Sequence, residues 1–317
     1  MNDIRRTILW VIFGFSMVLL WDKWQLHNGN KATFFPSPAA VGAAAPAAGA
    51  SAPLAGAASV PASTAPAVAS IGASAVPGTP APAAPAAREK IEVTTDVYRL
   101  TFDGEGGSLT HAELLKHADM TDKAKNFVLF DESTQRVYVA QTGLIGGSFP
   151  THKTVMTAVP GPRALKDGEN ELTIRFESPE QGGVKLVKTW TLKRGAYDIA
   201  VKHEVVNVGS TAVSPQLYLQ LVRDGNKPPG ESSFYSTFTG PAVYTDAKKY
   251  QKIEFKDIEN GKVDIPKESP NGYVAMVQHY FASAWLLADG VQRELFTRKV
   301  SDNLYSVGMI TPLGNID

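Results

Sequence analysis

The stretch YDIAVKHEV, Tyr197 to Val205, decides the fold. In an extended chain Tyr197, Ile199, Val201, His203 and Val205 fall on one face, and Asp198, Lys202 and Glu204 on the other. A period of two with one apolar face is the pattern of a half-buried strand. Just upstream, Val184, Leu186, Trp190 and Leu192 repeat the period, and Lys193, Arg194 and Gly195 between the two runs predict a hairpin turn. Leu172, Ile174 and Phe176 predict another strand, as do Leu217, Leu219 and Leu221. Phe127–Phe130, Val137–Ala140, Ile253–Ile258 and Leu304–Ile310 read the same way. Tyr273–Leu287 is apolar, but it contains Gln278 and His279 and lies between Asn271-Gly272 and Asp289-Gly290, so it reads as a buried strand pair rather than a membrane span. Gly-containing turn signals recur between these runs, and no long amphipathic helix is legible after Arg88. The expectation is mainly β: antiparallel sheets packed face to face in a large sandwich.

The amino-terminal end follows different rules. Thr7–Trp21 reads TILWVIFGFSMVLLW without a charge, and Arg5 and Arg6 precede it. At ~1.5 Å per residue this run makes roughly 22 Å of helix, short of the ~30 Å hydrocarbon core. Extending it to Trp24, with Arg snorkelling and Trp at the interface, closes the gap. A cleaved signal peptide fits less well, because Asp22-Lys23-Trp24 follows at once with no small-residue cleavage site. The expectation is one transmembrane anchor over 7–24 behind a cytoplasmic tail at 1–6. The positive-inside rule then puts the rest of the chain in the periplasm of a two-membrane bacterium. Pro36–Ala87 is Ala, Pro, Gly, Ser and Val with no charge, apart from isolated Leu, Ile and Thr. It lacks the large apolar groups needed to offset ordering entropy, and recurrent Pro breaks each helix start, so 25–87 reads as a disordered Ala/Pro-rich tether. The domain expected over 88–317 stops seven residues after a strand-like run, which suggests that it is incomplete at its carboxyl end.

Composition narrows the chemistry. The chain has 31 basic and 31 acidic residues, and its sequence shows no basic stripe, so no nucleic-acid partner is expected. The absence of Cys excludes disulfides, thiolate metal sites and a cysteine nucleophile. His111 and His117 flank Glu113, but a spacing of six brings no metal-ligand pair onto one strand face at close range or onto one helix turn. They read as surface polar residues. His203, on an apolar strand face, reads as a satisfied core histidine. Asp103-Gly-Glu-Gly-Gly107 lacks the Lys-Ser/Thr of a nucleotide loop and the alternating acids of a calcium loop, so it reads as a tight turn. No catalytic, cofactor-binding or metal-binding residue is assigned, and no cofactor is expected.

Several blocks carry a resemblance. The short polar tail, apolar run and Trp-rich exit resemble the first membrane helix of bacterial YidC membrane protein insertases. VTTDVYRLTFDGEGGSL (93–109), TWTLKRGAY (189–197), GPAVYTDAKKYQKIEF (240–255) and GYVAMVQHYFASAW (272–285) are similar to blocks of the same family in order and spacing. The resemblance implies a β-supersandwich periplasmic domain in the bacterial inner membrane's insertase and membrane chaperone. Its partners are then nascent inner-membrane proteins, the Sec translocon with its accessory subunits, and the lipid bilayer. It also implies five further membrane helices around a polar groove, none of which is in these residues, and it implies no covalent chemistry. Two other readings stay open. One is a periplasmic mutarotase-like carbohydrate-binding protein or enzyme, for which His152, His203 and His279 are candidates by residue type alone. The other is a membrane-anchored periplasmic adaptor.

Overall fold

The computed structural model describes residues 2–27, 88–230 and 237–317. The chain divides into two units, Met1–Ala75 and Val76–Asp317. In the first, helix α1 runs over Asn2–His27 and covers the expected anchor. Its described apolar side chains include Trp10, Val11, Phe13, Phe15, Leu20 and Trp21, all exposed. Among the described residues no helix is long and apolar enough to cross a membrane. From residue 28 on, the expected tether lies outside the described residues.

The second unit is built of strands. In chain order they are β1 (Lys90–Thr94), β2 (Tyr98–Asp103), β3 (Ser108–Ala118), β4 (Asn126–Glu132), β5 (Val137–Ile145), β6 (Thr157–Ala158), β7 (Glu171–Glu177), β8 (Val184–Lys193), β9 (Ile199–Asn207), β10 (Gln216–Asp224), β11 (Gly240–Thr245) and β12 (Lys249–Lys252). The short helix α2 (Phe255–Glu259) follows, then β13 (Glu268–Ser269), β14 (Tyr273–Gln278), β15 (Phe281–Leu286), β16 (Arg293–Ser301) and β17 (Leu304–Pro312). Nine strands form one antiparallel sheet in the order β1-β2-β3-β4-β5-β10-β17-β16-β13. The chain leaves this sheet to build two others. Between β5 and β10 it makes the four-stranded sheet β6-β7-β8-β9, and between β10 and β16, with a return to the large sheet at β13, it makes β12-β11-β14-β15.

Both excursions cover one face of the large sheet. Strand alternation selects the residues that meet there. Leu172, Ile174 and Phe176 of β7, with Leu186, Trp190 and Leu192 of β8, join Leu100, Phe102 and Leu144 of the large sheet in one buried cluster. Val243, Val274 and Met276 extend it under the other small sheet, against Leu219, Val307 and Met309. Each such side chain contributes about 1.5–3 kcal/mol on full burial. The expected sandwich is thus present, with two small sheets side by side as its second layer.

Two local expectations are corrected. Ile253–Ile258 is not a strand. Phe255 and Ile258 share one side of α2, and Phe255 stacks on Tyr305 with ring centroids 4.7 Å apart. Asn260-Gly261 ends the helix, Gly261 at φ 63°. Period-two spacing of 253 and 255 concealed a one-turn helix whose apolar residues are three apart. Likewise β9 begins at Ile199, not at Tyr197. Tyr197 stays in the loop, where its carbonyl accepts a 2.9 Å bond from the Tyr98 hydroxyl.

Candidate functional site

Two polar constellations stand out against this apolar interior. The first lies at the junction of the large sheet with the β6–β9 sheet. Lys188, on the inward face of β8, is 0 % exposed. Its Nζ donates to Gly106 O at 2.6 Å and Thr142 O at 2.7 Å. Gly106 lies in the β2–β3 turn at φ 73°, and a Cβ there would sit 2.4 Å from His152 O. The turn therefore needs glycine both for its backbone and for the close approach of the 152 loop. His203 of β9 turns Nε2 inward to 2.8 Å from Thr142 Oγ1. His152 places Nδ1 2.5 Å from the Tyr218 hydroxyl, and its backbone N–H donates to the same oxygen at 2.8 Å. Burial pushes Lys188 down to about 7. Burial, then the Lys188 charge, pushes His203 down to about 3. Burial, then Lys153 and Lys188, takes His152 down to about 4. Three bases held toward their neutral forms, serving carbonyls and hydroxyls, make a structural joint.

The second constellation is open. A cleft of about 380 Å³ lies at the end of the sandwich, lined by His111, Phe127, Asp131, Arg136, Arg223 and Gln278 among others. Arg136 folds back onto its own hairpin, donating to Val128 O (3.0 Å) and Leu129 O (2.9 Å). Asp224 is engaged by Val137 N (2.6 Å) and Asn226 N (2.9 Å). Asp119, at the rim, is lowered to about 2, first by the Thr121 hydroxyl and then by backbone N–H donors. Gln278 is different: it is 2 % exposed, and neither Oε1 nor Nε2 has a hydrogen-bond partner. A buried amide in that state costs about 1–3 kcal/mol. Gln278 thus carries an unsatisfied donor and acceptor just beneath the cleft lining.

The histidines sort between these places. His111 meets Asp131 across β3 and β4, Nδ1 to Oδ1 3.5 Å, at the cleft. His117 instead packs between Tyr197 and Phe281, at ring distances of 5.5 and 5.3 Å. The two are therefore separated in space as well as in sequence, and among the described residues no group of three His, Asp or Glu could hold a metal ion. Sequence spacing pointed to Glu113 as the intervening acid, but Glu113 binds Arg99 at 2.7 Å and Asn126 at 2.8 Å. The partner Asp131 was invisible because a bulge shifts the β3–β4 register. His203 is the satisfied core histidine expected. Asp103–Gly107 is a tight turn, its Asp103 Oδ1 accepting from Glu105 N at 2.7 Å. His152, His203 and His279 do not converge: the first two belong to the joint and the third to the β14–β15 turn. No residue type or motif announced Lys188 or Gln278, although a Lys on the apolar face of β8 breaks that strand's alternation.

Residues 90–317 match the family model described as the YidC periplasmic domain. The chain is 47 % identical to the membrane protein insertase YidC of Janthinobacterium sp. (strain Marseille), over 99 % of this chain and 55 % of that protein. It is 48 % identical to that of Herminiimonas arsenicoxydans, over 99 % and 54 %. The chain thus spans about half the length of these relatives. Among solved structures, a galactose mutarotase related enzyme from Lactobacillus acidophilus aligns at TM-score 0.43 and 9 % identity, over 72 % of this chain and 87 % of that one. A likeness at that level carries no argument about activity.

Proposed function

Because the chain belongs to the YidC membrane protein insertase family, we propose that it is the anchor and periplasmic part of such an insertase, a protein that helps inner-membrane proteins insert, fold and assemble. Similarity over 99 % of the chain to proteins of that name carries this reading. In it, residues 1–6 are a cytoplasmic tail, 7–24 a retained anchor, 25–87 a tether and 88–317 a periplasmic domain. The exposed Trp10, Phe13, Phe15, Leu20 and Trp21 support the anchor, since an apolar surface of this kind is stable in lipid. The partners are nascent inner-membrane proteins, the Sec translocon and the bilayer. No covalent chemistry is assigned to these residues.

The test is topological and physical. A reporter enzyme active only in the periplasm, fused after Arg88, should give activity, and the chain should stay with membranes after alkaline washing. In-cell crosslinking from exposed positions of the β domain should trap translocon subunits. A mature amino terminus between Trp24 and Ala50, or a reporter active only when the fusion is cytoplasmic, sinks the topology. The absence of any translocon adduct sinks that partnership.

A further inference from the structure

The edges of the three sheets are unequally protected. Unpaired N–H and C=O groups on an edge strand invite another chain, and folded proteins blunt such edges with short strands, charges or covering segments. Five of the six edges here follow that rule. β1 is covered by 163–165, with Thr94 N on Arg163 O and Leu165 N on Thr94 O, both 2.9 Å. β6 and β13 are two residues long. β12 reads KYQK, and β9 carries Lys202 and Glu204. β15 does not follow it. Its six residues, FASAWL, include no charge and no Pro, and among the described residues its ladder runs only to β14.

β15 is nevertheless firmly held. Phe281 stacks on Phe127 with centroids 4.2 Å apart. Ser283 Oγ meets the Tyr138 hydroxyl, and Trp285 Nε1 donates to Gln220 O at 3.0 Å. The edge is therefore pre-formed rather than frayed. On its outer face Ala282, Ala284 and Leu286 are exposed, Leu286 by 68 %.

The space beside this edge is bounded by a second one. His203 of β9 and Ser283 of β15 both sit on β5, at Thr142 and Tyr138. At one end His117 touches both Tyr197, two residues before β9, and Phe281, the first residue of β15. Yet no ladder joins β9 to β15. Trp190 of β8 and Trp285 of β15 meet beneath the seam with ring centroids 6.2 Å apart, and the inward-facing residues above them are only half covered. Val274 and Met276 of β14, and Leu186, Trp190 and Leu192 of β8, are buried. On the neighbouring edge strands, Phe281 and Trp285 of β15, and Ile199, Val201 and Val205 of β9, are only part-buried. An apolar floor thus lies between two strands, one of them an unprotected row of backbone donors and acceptors.

We propose that the β15 edge, at its seam with β9, binds an extended, uncharged polypeptide segment as an added strand. Backbone groups of β15 supply the hydrogen bonds, and alternate apolar side chains of the segment fill the half-covered floor beside Trp285 and Val201. Ala282 and Ala284 are small and exposed on the outer face, so they put no bulk or charge beside the outer side chains of an added strand. Charge is disfavoured in the segment because its inward residues meet no ionic partner among those floor residues.

Hydrogen exchange on the whole 317-residue chain in mild detergent tests this, with a synthetic probe of alternating Thr and Val capped by Lys at each end. Binding should slow exchange of the Phe281–Leu286 amides. Two versions of the probe, N-methylated on alternate residues so that each blocks one edge, separate backbone pairing from simple apolar contact. At least one should bind about tenfold more weakly than the parent. In Ala284→Lys the probe's affinity should fall, whereas Val300→Lys, on the exposed end of β16, should leave it unchanged. If Ala284→Lys does not fold, the N-methylated probes on the unaltered chain still decide. Equal affinity of all three probes, protection confined to other strands, or no binding at millimolar probe overturns the proposal. So does protection of 281–286 by phosphatidylglycerol vesicles but not by the probe, which would make the seam a lipid site.

Discussion

Gln278 and Lys188 are opposite solutions to burying a polar side chain. Lys188 is matched by two carbonyls and Gln278 by no protein atom. Replacing an unsatisfied amide by an apolar side chain of similar size removes a penalty, so Gln278→Met should stabilise the domain by up to about 1–3 kcal/mol in urea unfolding. A loss of stability instead would mean that water or a ligand serves the amide in solution. Lys188, His203 and His152 set a pH dependence. All three are bases with depressed folded values, so between folded and unfolded values the unfolded chain holds the extra proton, and stability rises with pH. For the histidines that window runs from about 3 (His203) or 4 (His152) up to the ordinary 6.5. For Lys188 it runs from about 7 to 10.5. The unfolding free energy measured in urea should therefore fall as pH drops from 6.5 to 4, by up to about 1.4 kcal/mol per pH unit for each histidine. His203→Gln should flatten the slope, and an unchanged slope would remove His203 from the joint's titration.

At the scale of elements, the outer face of the large sheet shows how strands were registered. Phe296 of β16 pairs with Gly308 of β17, and a Cβ at Gly308 would lie 2.4 Å from the ring. Tyr218 of β10 likewise overlies Gly143 of β5. An aromatic ring laid on a cross-strand glycine fixes register, because a one-residue slip would put both on the wrong face. Gly308→Val should cost about 1–3 kcal/mol by overpacking, and Phe296→Ala in the same chain should recover part of that. Strictly additive losses would refute the pairing. These elements also show what the sequence revealed. Strands with clean alternation, such as Leu172–Phe176 and Leu217–Leu221, were legible because burial on one face leaves its mark residue by residue. The α2 turn was not, since one helical turn has too few residues to establish a period. Nor was the cleft: its residues come from β3, β4, β10 and β14, and only sheet order, which is tertiary, brings them together. A register shift within the β3–β4 hairpin hid His111–Asp131.

For the whole molecule, the proposed division of labour makes a negative prediction. The family resemblance places insertion in a polar groove of further membrane helices, which the 317 residues do not contain. The described part of α1 offers an apolar surface, not a hydrated path for a polar loop. Expressed alone in cells depleted of their own insertase, this chain should not restore growth or the insertion of a small coat-protein substrate. Restoration of either would mean that α1 or the β domain inserts by itself.

The position of β17 has a consequence for how the domain is made. β17 is the last strand along the chain, yet it is an inner strand, joined to β10 along nine residues and to β16 on its other side. A polypeptide made amino end first delivers the large sheet in two separate pieces. β10 waits with one flank bare, and β16 pairs only with the two-residue β13, until 304–312 arrives and joins them. Until that moment Leu217, Leu219 and Leu221 border an open flank, when intermolecular pairing is most dangerous. The β5–β10 pairing, delayed by the whole β6–β9 excursion, is itself of high sequence separation and slow to form. Within residues 88–317, joining the two parts of the large sheet thus waits on β17: one late pairing makes them a continuous nine-stranded sheet.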